Sequence, residues 1–146
     1  MSAALKLVEP EVRRFGTADL TKHGGWILRR LLKLYPHISE RYAAGWLRET
    51  VNSNTSLFLY LDHAVALFQV LSVHSLEPQP WIWERFVFVE EGYIAQGAEF
   101  YTLVATWAKN MGIERVVVLQ HSDVPESLVK EKLGRLYVKQ LMTAKV

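Results

Sequence analysis

Between Trp81 and Gly112 the chain reads as a buried strand, a short glycine-bearing turn and an amphipathic helix. A strand that feeds a helix through such a turn leaves backbone N–H groups unpaired at the helix start, where anionic phosphate groups bind. Metal chemistry has less behind it. His23, His37, His63, His74 and His121 show neither a His-x-x-x-His spacing nor paired carboxylates. The absence of cysteine excludes disulfides, thiolate zinc sites and a cysteine nucleophile.

The elements around this junction follow from periodicity and punctuation. Val8 to Phe15 reads as a first strand, broken at Gly16. Thr17 or Asp19 then caps a helix carrying Leu20, Ile27, Leu28, Leu31, Leu32 and Tyr35, stopped by Pro36. Ser39 caps a second helix with Ala43, Trp46, Leu47 and Thr50 along one face. Ser56 to Leu61 and Ala64 to Val73 are two strands joined by an Asp62-His63 turn, and Trp81 to Val89 is a third. The next helix is placed at Ala98 to Met111, with Phe100, Leu103, Val104, Trp107, Ala108 and Met111 inward and Gly112 ending it. A strand at Arg115 to Gln120, a short helix from near Pro125 and a strand from Arg135 to Ala144 complete the chain. The order β-α-α-β-β-β-α-β-α-β, hairpins first and a βαβ unit after, implies an α/β fold with a mixed central sheet.

The 146 residues are half hydrophobic and 22% charged, which fits one compact domain over 1–146 with a packed core. A net charge of +2 is too small a surplus to argue for nucleic acid. The basic pairs Arg13-Arg14 and Arg29-Arg30, with Lys33, and the group Lys130, Lys132, Arg135 and Lys139 read either as solvated faces or as a surface for an acidic partner. No apolar run is long enough for a signal peptide or a membrane span, so the expectation is a soluble cytoplasmic protein.

The element order, the run VFVEEGYIAQGAEFYTLVATWAKNMGIERVVV and the ending LVKEKLGRLYVKQL together resemble the GNAT superfamily of N-acyltransferases. The resemblance covers essentially the whole chain and implies helices on both faces of the sheet. In that family the turn after the fourth strand reads Arg or Gln, two residues, Gly, one residue, then Gly or Ala, and it holds the pyrophosphate of acetyl-CoA. Aligned from Val89 and Tyr93, the segment Ile94, Ala95, Gln96, Gly97, Ala98 and Glu99 takes that place, and only Gly97 conforms. Aligned from Trp107 and Gly112, Gly92, Ala95 and Gly97 take the three named positions. The first register is preferred for its immediate neighbourhood. Ile94 then supplies no charge, and Glu99, expected in the first helical turn, opposes a pyrophosphate.

The resemblance also implies roles. Phe88 and Val89 would supply the backbone donor for the thioester carbonyl, and Glu84, the only carboxylate inside that strand, is the candidate base. A salt bridge or a solvent-facing strand end is the other role for such a glutamate. Lys130 stands where a tyrosine commonly protonates the leaving thiolate, with Tyr137 a substitute, and Asp123 stands where asparagine is frequent. His121 is a base or substrate contact, or a surface histidine. Trp26 packs or lines an acceptor groove.

Acetyl-CoA or a short acyl-CoA as co-substrate and a primary amine as acceptor follow from the resemblance. So does the alternative, a GNAT-fold protein that has lost catalysis and binds a partner or forms a homodimer. The compact cysteine-free form is similar to divergent phage-encoded members, which implies host cytoplasm or the virion.

Overall fold

The computed structural model describes residues 12–71, 80–119 and 123–139. Strand β1 is Arg13–Arg14, followed by helices α1 (Thr17–Leu34) and α2 (Glu40–Val51). Strands β2 (Ser56–Leu61), β3 (Ala64–Leu71) and β4 (Trp81–Val89) come next, then α3 (Ile94–Met111) and β5 (Val116–Val118). Helix α4 (Glu126–Leu133) runs through one turn of 3-10 helix into β6 (Tyr137–Lys139). The six strands form one mixed sheet in chain order, antiparallel from β1 to β4 and parallel from β4 to β6. Element order and mixed sheet agree with the sequence reading.

Local chemistry explains the early helices. The Asp19 carboxylate accepts the Gly16 N–H at 2.8 Å and the Arg13 guanidinium at 2.6 Å, so the residue expected to cap α1 reaches back from its first turn. Ser39 Oγ accepts the Tyr42 N–H at 3.1 Å and caps α2. Gly24 and Gly25 lower helix propensity, but Ile27 and Leu31 are buried and packing carries the segment.

The sheet separates two apolar layers. Helices α1 and α2 cover Phe15, Phe58, Phe86 and Phe88, whose rings form a ladder with centroid spacings of 4.3, 5.7 and 4.5 Å. Each such pair contributes about 0.5–1.5 kcal/mol beyond area burial. Helices α3 and α4 cover the other face, where Phe68 meets Tyr101 edge-on at 5.7 Å.

Three expectations change. Helix α3 begins at Ile94 rather than Ala98, because the turn is completed by Glu90–Tyr93 and Gly97 fits inside the helix. Its buried face carries Tyr101 and Ala105, while Leu103 and Met111 are exposed. Strand β5 covers only Val116–Val118, and β6 starts at Tyr137 rather than Arg135, since Gly134–Leu136 coil into the 3-10 turn. The parts of the expected strands at 8–11, 72–73, 120 and 140–144 lie outside the described residues. No helix among the described residues is long and apolar enough to cross a membrane.

Candidate active site

Strand β4 loses its β5 neighbour partway along. Among the described residues only Ile82 with Val116 and Trp83 with Val117 are paired, while β4 continues to Val89. On the β3 side the register slips between Leu67 and Phe68, so that Phe86 and Glu84 face consecutive β3 residues and Arg85 is the extra one. Such a bulge bends the strand and re-aims its side chains. Val87 and Val89 then join the α3 layer, whereas Phe86 and Phe88 join the α1 layer.

Glu84 sits at the point of parting. It is 1% exposed, and the Tyr101 hydroxyl donates to its Oε1 at 2.7 Å. Its Oε2 has no hydrogen-bond partner among the described residues, and no described cation pairs with it. The salt bridge considered from sequence is therefore not formed there. Burial pushes its pKa up to about 8 and the Asp123 charge adds to that, while the Tyr101 hydroxyl and the backbone of Leu119 oppose it. At neutral pH the group is mostly the uncharged acid.

Phe88 and Val89 lie at the far end of β4. The Val89 N–H donates to Asp123 Oδ2 at 2.8 Å. The same oxygen accepts from Arg30 of α1 at 2.5 Å, and the Arg30 guanidinium lies 4.7 Å from the centre of the Phe88 ring. One carboxylate thus ties the loop before α4 to the end of β4 and to α1.

The start of α3 is anchored by the β2–β3 turn. The His63 N–H donates to Gln96 Oε1 at 2.9 Å, and the Glu90 N–H donates to the His63 carbonyl at 2.9 Å. The His63 ring stacks on Tyr93 at 3.7 Å with Nδ1 at 2.9 Å from Glu90. Gly92 takes a φ of +90°, which a side chain would strain. Ile94 and Ala95 open the helix on its exposed side, and their N–H groups lie in the turn that has no intrahelical acceptor.

Gly97 faces inward instead. A Cβ there would lie 2.6 Å from both Val89 Cγ2 and Val124 Cγ2, so the missing side chain lets α3 press against β4 and the loop before α4. Ala98 is buried beside it, and Glu99 is exposed beyond the first turn rather than in it. Glu90 and Glu91 in the preceding turn and Glu99 in the second turn of α3 are all exposed.

Lys130 of α4 and Tyr137 of β6 lie together. Lys130 Nζ lies 5.4 Å over the Tyr137 ring. The Tyr137 hydroxyl donates to Glu126 at 2.6 Å, and Lys139 stands 3.4 Å from the same carboxylate. Burial, then Glu126, pushes the Tyr137 pKa up to about 12. A phenol so held keeps its proton, which makes it a hydrogen-bond donor before it is an acid.

Solved structures share this architecture. An aminoglycoside 6'-N-acetyltransferase, AAC(6')-Ih from Acinetobacter baumannii, superposes with a TM-score of 0.61 at 17% identity, over 94% of this chain and 98% of that one. AAC(6')-Iy in complex with CoA gives 0.59 at 16%, covering 92% of each. An aminoglycoside acetyltransferase from an uncultured soil metagenomic sample, in complex with sisomicin, gives 0.58 at 18%, over 91% and 92%. The chain has the GNAT fold. No family model and no curated protein matches it.

Gly92 lies in the turn, small Ala95 is exposed at the helix start and Gly97 is packed inside. Three of the four arginines in the basic pairs are tied down. Arg13 pairs with Asp19, Arg14 donates to Ser53 and Ser56 carbonyls, and Arg30 is held by Asp123. Trp26 belongs to a network on α1, its Nε1 donating to His23 Nδ1 at 3.2 Å while His23 Nε2 meets the Tyr60 hydroxyl at 3.0 Å.

His74 and His121 lie outside the described residues. No group of His, Asp and Glu among the described residues is placed to hold a metal. Sequence reading missed the His63–Gln96–Tyr93 clamp and the Asp123–Arg30 tie to Val89. The only sequence signal for either was Asp123 standing in place of asparagine.

Proposed function

We propose that this chain is an acyl-CoA-dependent N-acyltransferase that passes an acetyl or short acyl group to a primary amine. The parting of β4 from β5 beyond Trp83 carries the reading. Among the described residues it leaves the β5-facing side of the β4 backbone without a strand partner beside a buried carboxyl, and N–H groups so placed suit a developing oxyanion. A GNAT-fold neighbour in complex with CoA and another in complex with sisomicin support the same class of chemistry.

The backbone fits an acyl-CoA better than the side chains do. The N–H groups of Ile94 and Ala95 suit a pyrophosphate, and Ala95 lets it come close. Glu90, Glu91 and Glu99 oppose it by charge, so weak binding is expected. The bound thioester supplies an acyl carbonyl activated toward amines. Val89 N–H can donate to that carbonyl once Asp123 has swung away. Glu84 takes a proton only in its ionised form, so as a base it acts with rising pH through about 8. Lys130 or Tyr137 is the donor toward the departing sulfur.

The second reading is a GNAT-fold protein retained for binding alone. Asp123 favours it, because the Val89 N–H is already satisfied by the chain itself. Calorimetric titration with acetyl-CoA separates the two. A saturable heat, with a thermal midpoint that rises with ligand, supports the transferase; ligand at a hundred times its Kd adds about 2.7 kcal/mol. No heat and no shift at millimolar acetyl-CoA overturns it in favour of the second reading.

A further inference from the structure

A cavity of about 200 Å³ opens between the two early helices on the face away from α3. Leu31, Tyr35 and Ile38 form one wall, Tyr42, Ala43 and Trp46 the other, and Arg85 the polar end. An apolar cavity of about 150 Å³ accepts a benzene ring, so this one has room for a single ring and a small head group. Tyr42 stands at the lip, 65% exposed.

Arg85 is the extra residue of the β4 bulge, and the bulge is what brings it to this face. Its Nε donates to Gln69 Oε1 at 2.7 Å, and Gln69 Nε2 donates to Ser56 Oγ at 3.1 Å. This chain of bonds fixes the guanidinium plane. The two terminal nitrogens have no hydrogen-bond or ion-pair partner among the described residues. None of the lining residues is a carboxylate. Glu49 lies in the adjoining shallow hollow, alongside Arg41.

We propose that this cavity binds a small apolar molecule through a carboxylate, with Arg85 as its two-pronged partner and the aromatic side chains around its single ring. Arginine is suited to this because its fork matches both oxygens of a planar carboxylate. A polyamine such as sisomicin meets the opposite chemistry here, a fixed cation and no carboxylate.

Calorimetry of the whole chain tests this without any transfer reaction. 3-Phenylpropionate, 2-phenylethylamine and sisomicin serve as probes. The carboxylate is expected to bind at least tenfold tighter than the ring amine, with no heat from sisomicin. Arg85→Met should weaken 3-phenylpropionate at least tenfold, Arg85→Lys several-fold, and Tyr42→Ala, at the exposed lip, two- to threefold, with unfolding curves confirming folded variants. Equal or tighter binding of the amine, or full affinity in the folded Arg85→Met or Arg85→Lys variant, overturns the proposal. If no Arg85 variant folds, the order of the three probes on the unaltered chain and the Tyr42→Ala result decide it. Carboxylate binding without any acetyl-CoA binding leaves this site standing and removes the acyltransfer reading alone.

Discussion

The Val89 N–H donates to Asp123 at 2.8 Å, in the place where β4 has already parted from β5. The bond occupies the backbone donor that the proposed acyltransfer assigns to the thioester carbonyl, and Arg30 holds the carboxylate there from the opposite helix layer. In that proposal an acyl thioester competes with a side chain of the protein.

That competition can be weakened without emptying the site. In Asp123→Asn the amide oxygen can still accept from Val89, but a charge-assisted bond becomes a neutral one of about half the strength. A loss of about 1 kcal/mol in the competitor corresponds to acetyl-CoA binding about fivefold tighter. Calorimetry on both proteins reads this directly, and unchanged or weaker binding would show that Asp123 is no rival of the thioester.

The buried carboxyl makes stability depend on pH. Between the ordinary value of 4.5 and about 8, folded Glu84 keeps a proton that the unfolded chain releases. Stability thus falls as pH rises through this window, by up to about 1.4 kcal/mol per unit, and levels off above it. Asp19, lowered to about 2 by the Arg13 hydrogen bond, acts only in acid, its contribution being lost as pH drops below 3.8. Thermal melts from pH 5 to pH 8 should show a falling midpoint in the native sequence and a flatter one in Glu84→Gln. Parallel curves would mean that Glu84 is not protonated in the fold.

Gly97 is a packing glycine, and its replacement should show as lost stability. Alanine gains about 1 kcal/mol in helix propensity, but its Cβ must push Val89 and Val124 aside from 2.6 Å. Overpacking of this kind costs about 1–3 kcal/mol, and valine has few rotamers with which to yield. Denaturant unfolding of Gly97→Ala should therefore give a net loss of about 1 kcal/mol. A stabilised variant would contradict the close contact of α3 with β4.

Ile94 offers the converse experiment, because its side chain is 43% exposed at the helix start. Ile94→Arg places a cation beside the free N–H groups. It should lower stability slightly, by about 0.3–1 kcal/mol, since a positive charge opposes the helix dipole there. Acetyl-CoA should bind three- to tenfold tighter in return. Opposite signs in melting and calorimetry are the expected pattern; looser binding would place the pyrophosphate elsewhere.

Much of this protein was legible in the order of its residues. Short apolar runs bounded by turn residues placed β2, β3 and β4, Ser39 marked the start of α2, and Gly112 marked the end of α3 with its φ of +70°. These signals are local, since caps, turns and short apolar runs act between near neighbours. Gly97 shows where local reading stops. A glycine between Tyr93 and Phe100 reads as a turn, yet it lies inside α3, where Val89 of β4 and Val124 before α4 take the space a side chain would fill. Glu84 was singled out as a lone strand carboxylate, but its raised pKa depends on burial, which outweighs the Tyr101 hydrogen bond that opposes it. Asp123 meets Val89 across 34 positions and Arg30 across 93, and the β4 bulge alone turns Arg85 into the cavity. Such contacts are made when the two helix layers close on the sheet, so their partners follow from packing rather than from neighbours in the chain.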